Sequence, residues 1–375
     1  MKIAMLTSLN GGVGTFVANL CEELSKYPDI DQIDIFGYSD YKRIPLPGLS
    51  YKVNIKMNER SPYLFTIKIL RWMPYLGDYD LIHTNQAHLF GQVYYVARLW
   101  KIPCIYTTAF NPVDEIKNAS FLKKRLLGIE ASCIRFASRK ANVHLAVSDY
   151  CRKTMQDEMG ILPQTVIYHG IDDKRFAYSK EKRDKTRSAL KVEDNTALLL
   201  YVGMLETHKD VITLIDTMSR LKTKYTSRPI TLVIVGRGPA YAEIAGRVRQ
   251  NGLESTVNIK TDVVRDITEY YSAADVFVFP SLGEGFGFVF LEAMACGLPI
   301  IAANAGSAPE VIGDAGLLFK PRDSEELADR IIEMLNNQQL YREVRESGLE
   351  RVKQFTWERA AKQYYQVYEQ VLEHR

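Results

Sequence analysis

The feature that most restricts the fold of this chain is an alternation of strand, glycine loop, helix and strand between Val276 and Ala302. Val276, Phe277, Val278 and Phe279 form an apolar run that reads as a buried strand, closed by Pro280 and Ser281. Gly283, Gly285 and Gly287 follow, and there backbone can approach a ligand with no Cβ in the way. The spacing then predicts a helix over 289–296, stopped by Gly297 and Pro299, and a second apolar run over 299–302. Two strands joined through a helix imply a parallel sheet covered on both faces. The loop and helix N-terminus then present N–H groups to an anion at the carboxyl end of the first strand.

Two carboxylates punctuate this unit. Glu284 lies in the glycine loop and Glu292 on the helix, about one turn in. N–H groups suit a diphosphate, and flanking carboxylates suit the hydroxyls of ribose and hexose. Together they fit a nucleotide sugar.

The residues carry a resemblance. Glu284 to Pro299 reads E-G-F-G-x-x-x-x-E-A-M-A-x-G-x-P, and Gly306 to Ile312 reads G-x-x-P-E-V-I. This pattern resembles the donor-site signature of glycosyltransferase family 4, the retaining GT-B enzymes. The resemblance implies two facing Rossmann-like, doubly wound α/β domains with a cleft between them. It also implies transfer of a sugar from a nucleotide diphosphate to an acceptor, with retention at the anomeric carbon and without a metal. The nucleotide sugar is then a substrate rather than a cofactor, a UDP-sugar ahead of a GDP-sugar. The expected domains are residues 1–171 for the acceptor, 172–356 for the donor, and a helix over 357–375 that returns to the first domain.

The resemblance assigns roles residue by residue. Glu292 takes the ribose hydroxyls, and Gly287, Phe288 and Val289 offer backbone N–H groups to the donor. Glu284 contacts the transferred sugar, and Lys209 neutralises the leaving diphosphate. Gly203 to Asp210 resembles a G-R-L-x-x-x-K-G loop in which Arg and Lys clamp the diphosphate, but Met204 stands where the arginine belongs. Arg237, in the next strand-end loop, is the candidate to cover that duty. Gly11 and Gly12 are read as a glycine loop where the first domain meets the donor phosphate. His83, closing a strand as His83-Thr84-Asn85, is a weaker catalytic candidate, and Ala109 replaces a histidine found in many relatives.

The remaining chain fits this plan. Strands are expected over 2–7, 33–36, 51–55, 80–83, 102–107, 143–148 and 165–168, then over 198–202, 230–235 and 257–260. The polar run 179–191 is read as the junction between domains, and Ser324 with Glu325 and Glu326 as the capped start of a helix over 324–336.

Charge and composition exclude some functions. Of 375 residues, 48 are Lys or Arg and 45 Asp or Glu, a net charge of +3 that makes no case for nucleic acid. Two local stretches are basic: 52–71 at +4 and 117–140 at +6. They suggest peripheral contact with an anionic membrane, and hence a lipid-linked acceptor among the glycan, glycolipid or lipid-linked saccharide acceptors that the resemblance leaves open. Five scattered cysteines lack metal or disulfide spacing. The start MKIAMLTS enters a strand directly, so the expected location is the cytoplasm, at the inner face of the membrane. A nicotinamide dehydrogenase would need G-x-G-x-x-G and an acid at the next strand end, and a sugar-nucleotide epimerase would not carry the 284–312 pattern. The alternative within the family is a catalytically weak relative that binds nucleotide sugars or partners, motivated by Met204 and Ala109.

Overall fold

The computed structural model describes residues 1–9, 11–38, 50, 52–59, 69–71, 73–85, 94, 97–108, 132–225, 227–262 and 264–374. The chain divides into two compact units, Met1–Gly170 with Thr356–Arg375, and Ile171–Phe355.

The first unit is built on seven strands, β1 (Lys2–Ser8), β2 (Gln32–Tyr38), β3 (Val53–Glu59), β4 (Leu81–Thr84), β5 (Cys104–Thr108), β6 (Val143–Ala146) and β7 (Thr165–Val166). All pairings are parallel, in the order β3-β2-β1-β4-β5-β6-β7. A parallel sheet is covered on both faces, and β1 accordingly is buried from Ile3 to Ser8. The helix Gly11–Leu24 buries Phe16, Val17, Leu20, Cys21 and Leu24. Against it lies the helix Trp357–Glu373, capped by the Thr356 hydroxyl, which accepts from the Arg359 amide at 3.1 Å. Phe16 meets Tyr364 at 5.8 Å, and Tyr27 stacks on Tyr365 at 4.2 Å. Gly170 is required where this helix starts, because a Cβ there would lie 2.2 Å from the Trp357 nitrogen.

The second unit has six parallel strands, β8 (Ala197–Val202), β9 (Ile230–Val235), β10 (Val257–Lys260), β11 (Val276–Phe279), β12 (Ile300–Ala303) and β13 (Gly316–Phe319). Their order is β10-β9-β8-β11-β12-β13. The chain runs outward from β8 in one direction and from β11 in the other, so the order reverses between them. In open α/β sheets ligands bind beyond the carboxyl ends of the strands at such a reversal. Tyr201, Phe277 and Phe279 stack beneath this point, with ring centroids 5.3 and 5.8 Å apart.

Three expectations are corrected. Gly11 to Gly14 do not form a loop: they are the first turn of the Gly11–Leu24 helix, and Gly14 sits where a Cβ would be 2.5 Å from the Leu9 carbonyl. The run 179–191 is not a junction but a helix, Lys180–Leu190, capped by Ser179 within the second unit. Its arginines hold the sheet edge, with Arg183 2.7 Å from Asp275 and Arg187 bonded to the carbonyls of Glu193 and Thr196. The helix Ser324–Asn336 is capped by Asp323 rather than Ser324, since the Asp323 carboxylate accepts from the amides of Glu325 and Glu326. No helix among the described residues is long and apolar enough to cross a membrane. Residues 60–68 and 117–131 of the two basic stretches, and Ala109, lie outside the described residues.

Candidate active site

Three loops of the second unit converge beyond the carboxyl ends of β8, β11 and β12. The loop after β8 begins at Gly203 and is held to the loop after β9. The Leu205 amide donates to the Arg237 carbonyl at 2.9 Å, and the Ala240 amide donates to the Leu205 carbonyl at 2.9 Å. A Cβ on Gly236 would lie 1.9 Å from the Gly203 carbonyl, so these two loops touch through bare backbone. The Leu282 amide donates to the His208 carbonyl at 2.8 Å, which ties the loop after β8 to the loop after β11.

Across that tie, Lys209 and Glu284 form an ion pair, each side chain about one-seventh exposed at 14% and 15%. Ser281 donates its hydroxyl to the same Glu284 oxygen at 2.8 Å. The Lys209 ammonium also stands 5.8 Å from the centroid of the Phe279 ring. The loop after β12 closes the other side. The Ser307 amide donates to the Glu284 carbonyl at 3.1 Å, and the Ser307 hydroxyl donates to the Phe286 carbonyl at 2.8 Å. Gly306, at φ +60°, leaves no space for a side chain, since a Cβ would sit 2.4 Å from the Glu284 nitrogen.

The helix Phe288–Ala295 starts from this loop. Its cap is Gly287, at φ +84°, which has no side chain to bond the first amides. The first amides of a helix have no acceptor within it, and they carry its positive dipole end. Glu292, on the same helix, accepts from the Tyr271 hydroxyl at 2.7 Å. Burial pushes the Glu292 carboxyl above the usual carboxylate range, an effect eased by the Tyr271 hydrogen bond and the charge of Arg175.

The sequence-derived candidates therefore separate into groups. Lys209, Glu284, Gly203, Gly287, Phe288, Val289 and Glu292 are brought to one sheet edge of the second unit. Arg237 is exposed in the loop that touches Gly203, beside exposed Met204. Gly11 and Gly12 are exposed at the start of the first unit's helix. His83 is not placed for catalysis. It is wholly buried, with Nδ1 2.7 Å from the Tyr368 hydroxyl and Nε2 2.8 Å from the Thr107 hydroxyl, and burial pushes its pKa down to about 3. Its role is to join β4 and β5 to the C-terminal helix. Ser281, Tyr271 and Ser307 hold the candidate residues or their loop but were not foreseen, because each bonds a partner at least three residues away whose position only the fold sets.

Residues 10–175 match the family described as Glycosyltransferase Family 4, and residues 182–351 match Glycosyl transferases group 1. The chain belongs to glycosyltransferase family 4. Among curated relatives, this family 4 glycosyltransferase is 27% identical to D-inositol 3-phosphate glycosyltransferase of Jonesia denitrificans, over 78% of this chain and 72% of the relative. Its fold is that of sucrose-phosphate synthase from Thermosynechococcus elongatus, with TM-score 0.83, 24% identity and full coverage of both chains. HepE of Anabaena, solved with UDP and glucose, has the same fold at TM-score 0.80 and 22% identity, over 98% of this chain and 99% of that one.

Proposed function

We propose that this glycosyltransferase moves a hexosyl group from a UDP-sugar to a hydroxyl of a glycan or lipid-linked acceptor, with retention and without a metal ion. The observation that carries the reading is the Lys209, Glu284 and Ser281 cluster beside the N-terminus of the Phe288–Ala295 helix, at the strand-order reversal of the second sheet. UDP as the carrier is supported by HepE, whose structure holds UDP and glucose. Glu292 holds the ribose hydroxyls, the helix amides and Lys209 hold the diphosphate, and Glu284 holds the sugar. Acceptor recognition is assigned to the first unit.

Reaction on one face of the sugar accounts for retention. The acceptor oxygen bonds to the anomeric carbon as the bond from that carbon to the β-phosphate oxygen breaks. The departing phosphate oxygen takes the acceptor proton. Negative charge grows on the diphosphate during this step, and fixed cationic and dipolar groups aimed at it lower the barrier. Lys209 and the helix N-terminus supply that charge from the chain itself.

The test is incubation with UDP-glucose, UDP-galactose, UDP-N-acetylglucosamine and GDP-mannose, with chelator present, following nucleoside diphosphate release and the anomeric configuration by NMR. Release from one donor, unaffected by chelator and giving a product with the donor's configuration, is expected. Absence of release from all four, or an inverted product, refutes the reading.

A further inference from the structure

Arg228 and Arg342 line one cavity of about 290 Å³, large enough for a small organic ligand. The cavity belongs to the edge of the second sheet opposite the donor loops. Arg228 leads into β9 and Asp275 into β11, so the lining sits at the amino ends of strands whose carboxyl ends carry the donor loops.

The charges around it are unbalanced. Arg228 is half-buried and, among the described residues, has neither a hydrogen bond nor an ion pair. Arg342 uses one nitrogen, donating Nε to the Gln338 carbonyl at 3.2 Å, and has no carboxylate partner among the described residues. The carboxylate in the lining, Asp275, is already committed. It meets Arg183 at 2.7 Å and Arg187 at 3.4 Å, and accepts from the Leu198 amide at 2.8 Å. Tyr341 donates its hydroxyl to the Asp275 carbonyl at 3.0 Å, which fixes its ring as one wall. Two guanidiniums, Arg183 and Arg187, thus neutralise Asp275, and those of Arg228 and Arg342 line the cavity with no carboxylate of their own among the described residues.

A half-buried charge is costly without a partner. Arg228 is half-buried and Arg342 exposed at the rim of the same cavity, and two guanidiniums lining one cavity match the oxygens of a phosphate, which each can bind through paired N–H groups. Met334 and Leu335 supply apolar surface beside them. A second cavity of about 210 Å³ shares Arg228 and adds Met218, Leu221 and Tyr225. The ligand therefore has an anionic end and a partly apolar body.

We propose that this pocket binds a phosphomonoester, with Arg228 and Arg342 on the phosphate and Met334, Leu335 and the Tyr341 ring against its organic part. It is a site separate from the donor site, on a different edge of the same sheet.

The experiment is titration calorimetry of the whole protein with glycerol 3-phosphate and glucose 6-phosphate, alongside co-sedimentation with vesicles containing phosphatidic acid. Wild type is compared with the Arg228→Ala/Arg342→Ala double variant, with Arg228→Lys and with Lys209→Ala. A soluble phosphomonoester binding one to one, weakened tenfold or more in the double variant and unchanged in Lys209→Ala, is expected. Arg228→Lys should weaken it less than the double variant, since a charge remains. Vesicle binding alone, lost in the double variant, also supports the site and assigns the phosphate to a lipid headgroup. The proposal is overturned if wild type binds no soluble phosphomonoester and shows no vesicle binding that the double variant loses, and equally if binding of the soluble phosphomonoesters survives the double variant. Loss in Lys209→Ala overturns it too, because the phosphate would then be at the donor site.

Discussion

Lys209 and Glu284 are 75 positions apart and hold each other at the strand-order reversal of the second sheet. Each is proposed to contact the donor, Lys209 through the diphosphate and Glu284 through the sugar. In the free protein they satisfy one another instead, so an arriving donor exchanges one ion pair for two contacts.

Glu284→Gln breaks that exchange. The amide leaves Lys209 without its counter-charge, so UDP no longer competes with a carboxylate. A hydrogen bond to a charged group is worth about 1.5–3 kcal/mol. UDP should therefore bind about tenfold tighter or more to Glu284→Gln, while sugar transfer falls by at least tenfold. Calorimetry with UDP and a turnover assay read the two effects, and an unchanged UDP affinity counts against the exchange.

Arg237 tests how the arginine missing at Met204 is replaced. Its loop is bonded to the loop that carries Met204, which is 49% exposed. Arg237→Ala and Lys209→Ala should each weaken UDP by tenfold or more and leave uridine binding unaltered. If Arg237→Ala binds UDP like the wild type, Lys209 and the helix N-terminus carry the diphosphate alone.

Glu292 is expected to set nucleoside affinity. UDP at about 100 times its Kd adds roughly 2.7 kcal/mol of stability, and Glu292→Ala should remove most of the matching rise in Tm. Tyr271→Phe should remove less, since it frees one carboxylate oxygen without deleting the group. Equal UDP stabilisation of wild type and Glu292→Ala would show that the ribose is held elsewhere.

The first unit should be sensitive to acid. His83 and His169 are pushed down to about 3 and His144 to about 4, in each case by burial. In the unfolded chain these rings protonate near pH 6.5. Between pH 6.5 and pH 4 the unfolded state binds more protons, so stability falls as pH falls, by about 1 kcal/mol per pH unit for each ring. Urea melts across that range should show the slope, and His83→Gln should reduce it. A His83→Gln slope equal to that of the wild type would contradict this account.

The membrane proposal rests on charge alone. The stretches 52–71 and 117–140 carry +4 and +6, and each basic residue near an anionic surface contributes about 1 kcal/mol, screened by salt. Co-sedimentation with anionic vesicles at low salt is expected, with release at high salt. Binding that persists when Lys123, Lys124 and Arg125 all become Glu would remove 117–140 from the contact.

Much of the second sheet was legible because its signals are local. The apolar runs at 198–202, 230–235, 257–260 and 276–279 lie within strands β8, β9, β10 and β11. Glycines and prolines marked where those strands stop. Less local signals misled. The charged run 179–191 has linker composition, yet its arginines find partners up to 92 residues away on Asp275. Gly11 to Gly14 looked like a loop because glycine is a poor helix former, but close approach to Leu9 favours the missing side chain at Gly14. In the site, the 284–292 spacing pointed to both carboxylates. Nothing local paired Lys209 with Glu284 or Tyr271 with Glu292, since these contacts exist only once β8, β11 and the helices are assembled.

The return of the C-terminal helix to the first unit sets an order on biosynthesis. Residues 171–355 form a continuous segment and can complete their sheet as soon as they leave the ribosome. The first unit is translated earlier but waits for Thr356 to Glu373, whose Tyr364 and Tyr368 pack against Phe16 and His83. Until then the ring of His83 lacks one of its two partners, and part of the first unit's core has no cover. The half made first is thus finished last, and for that interval it is the half that chaperones would find exposed.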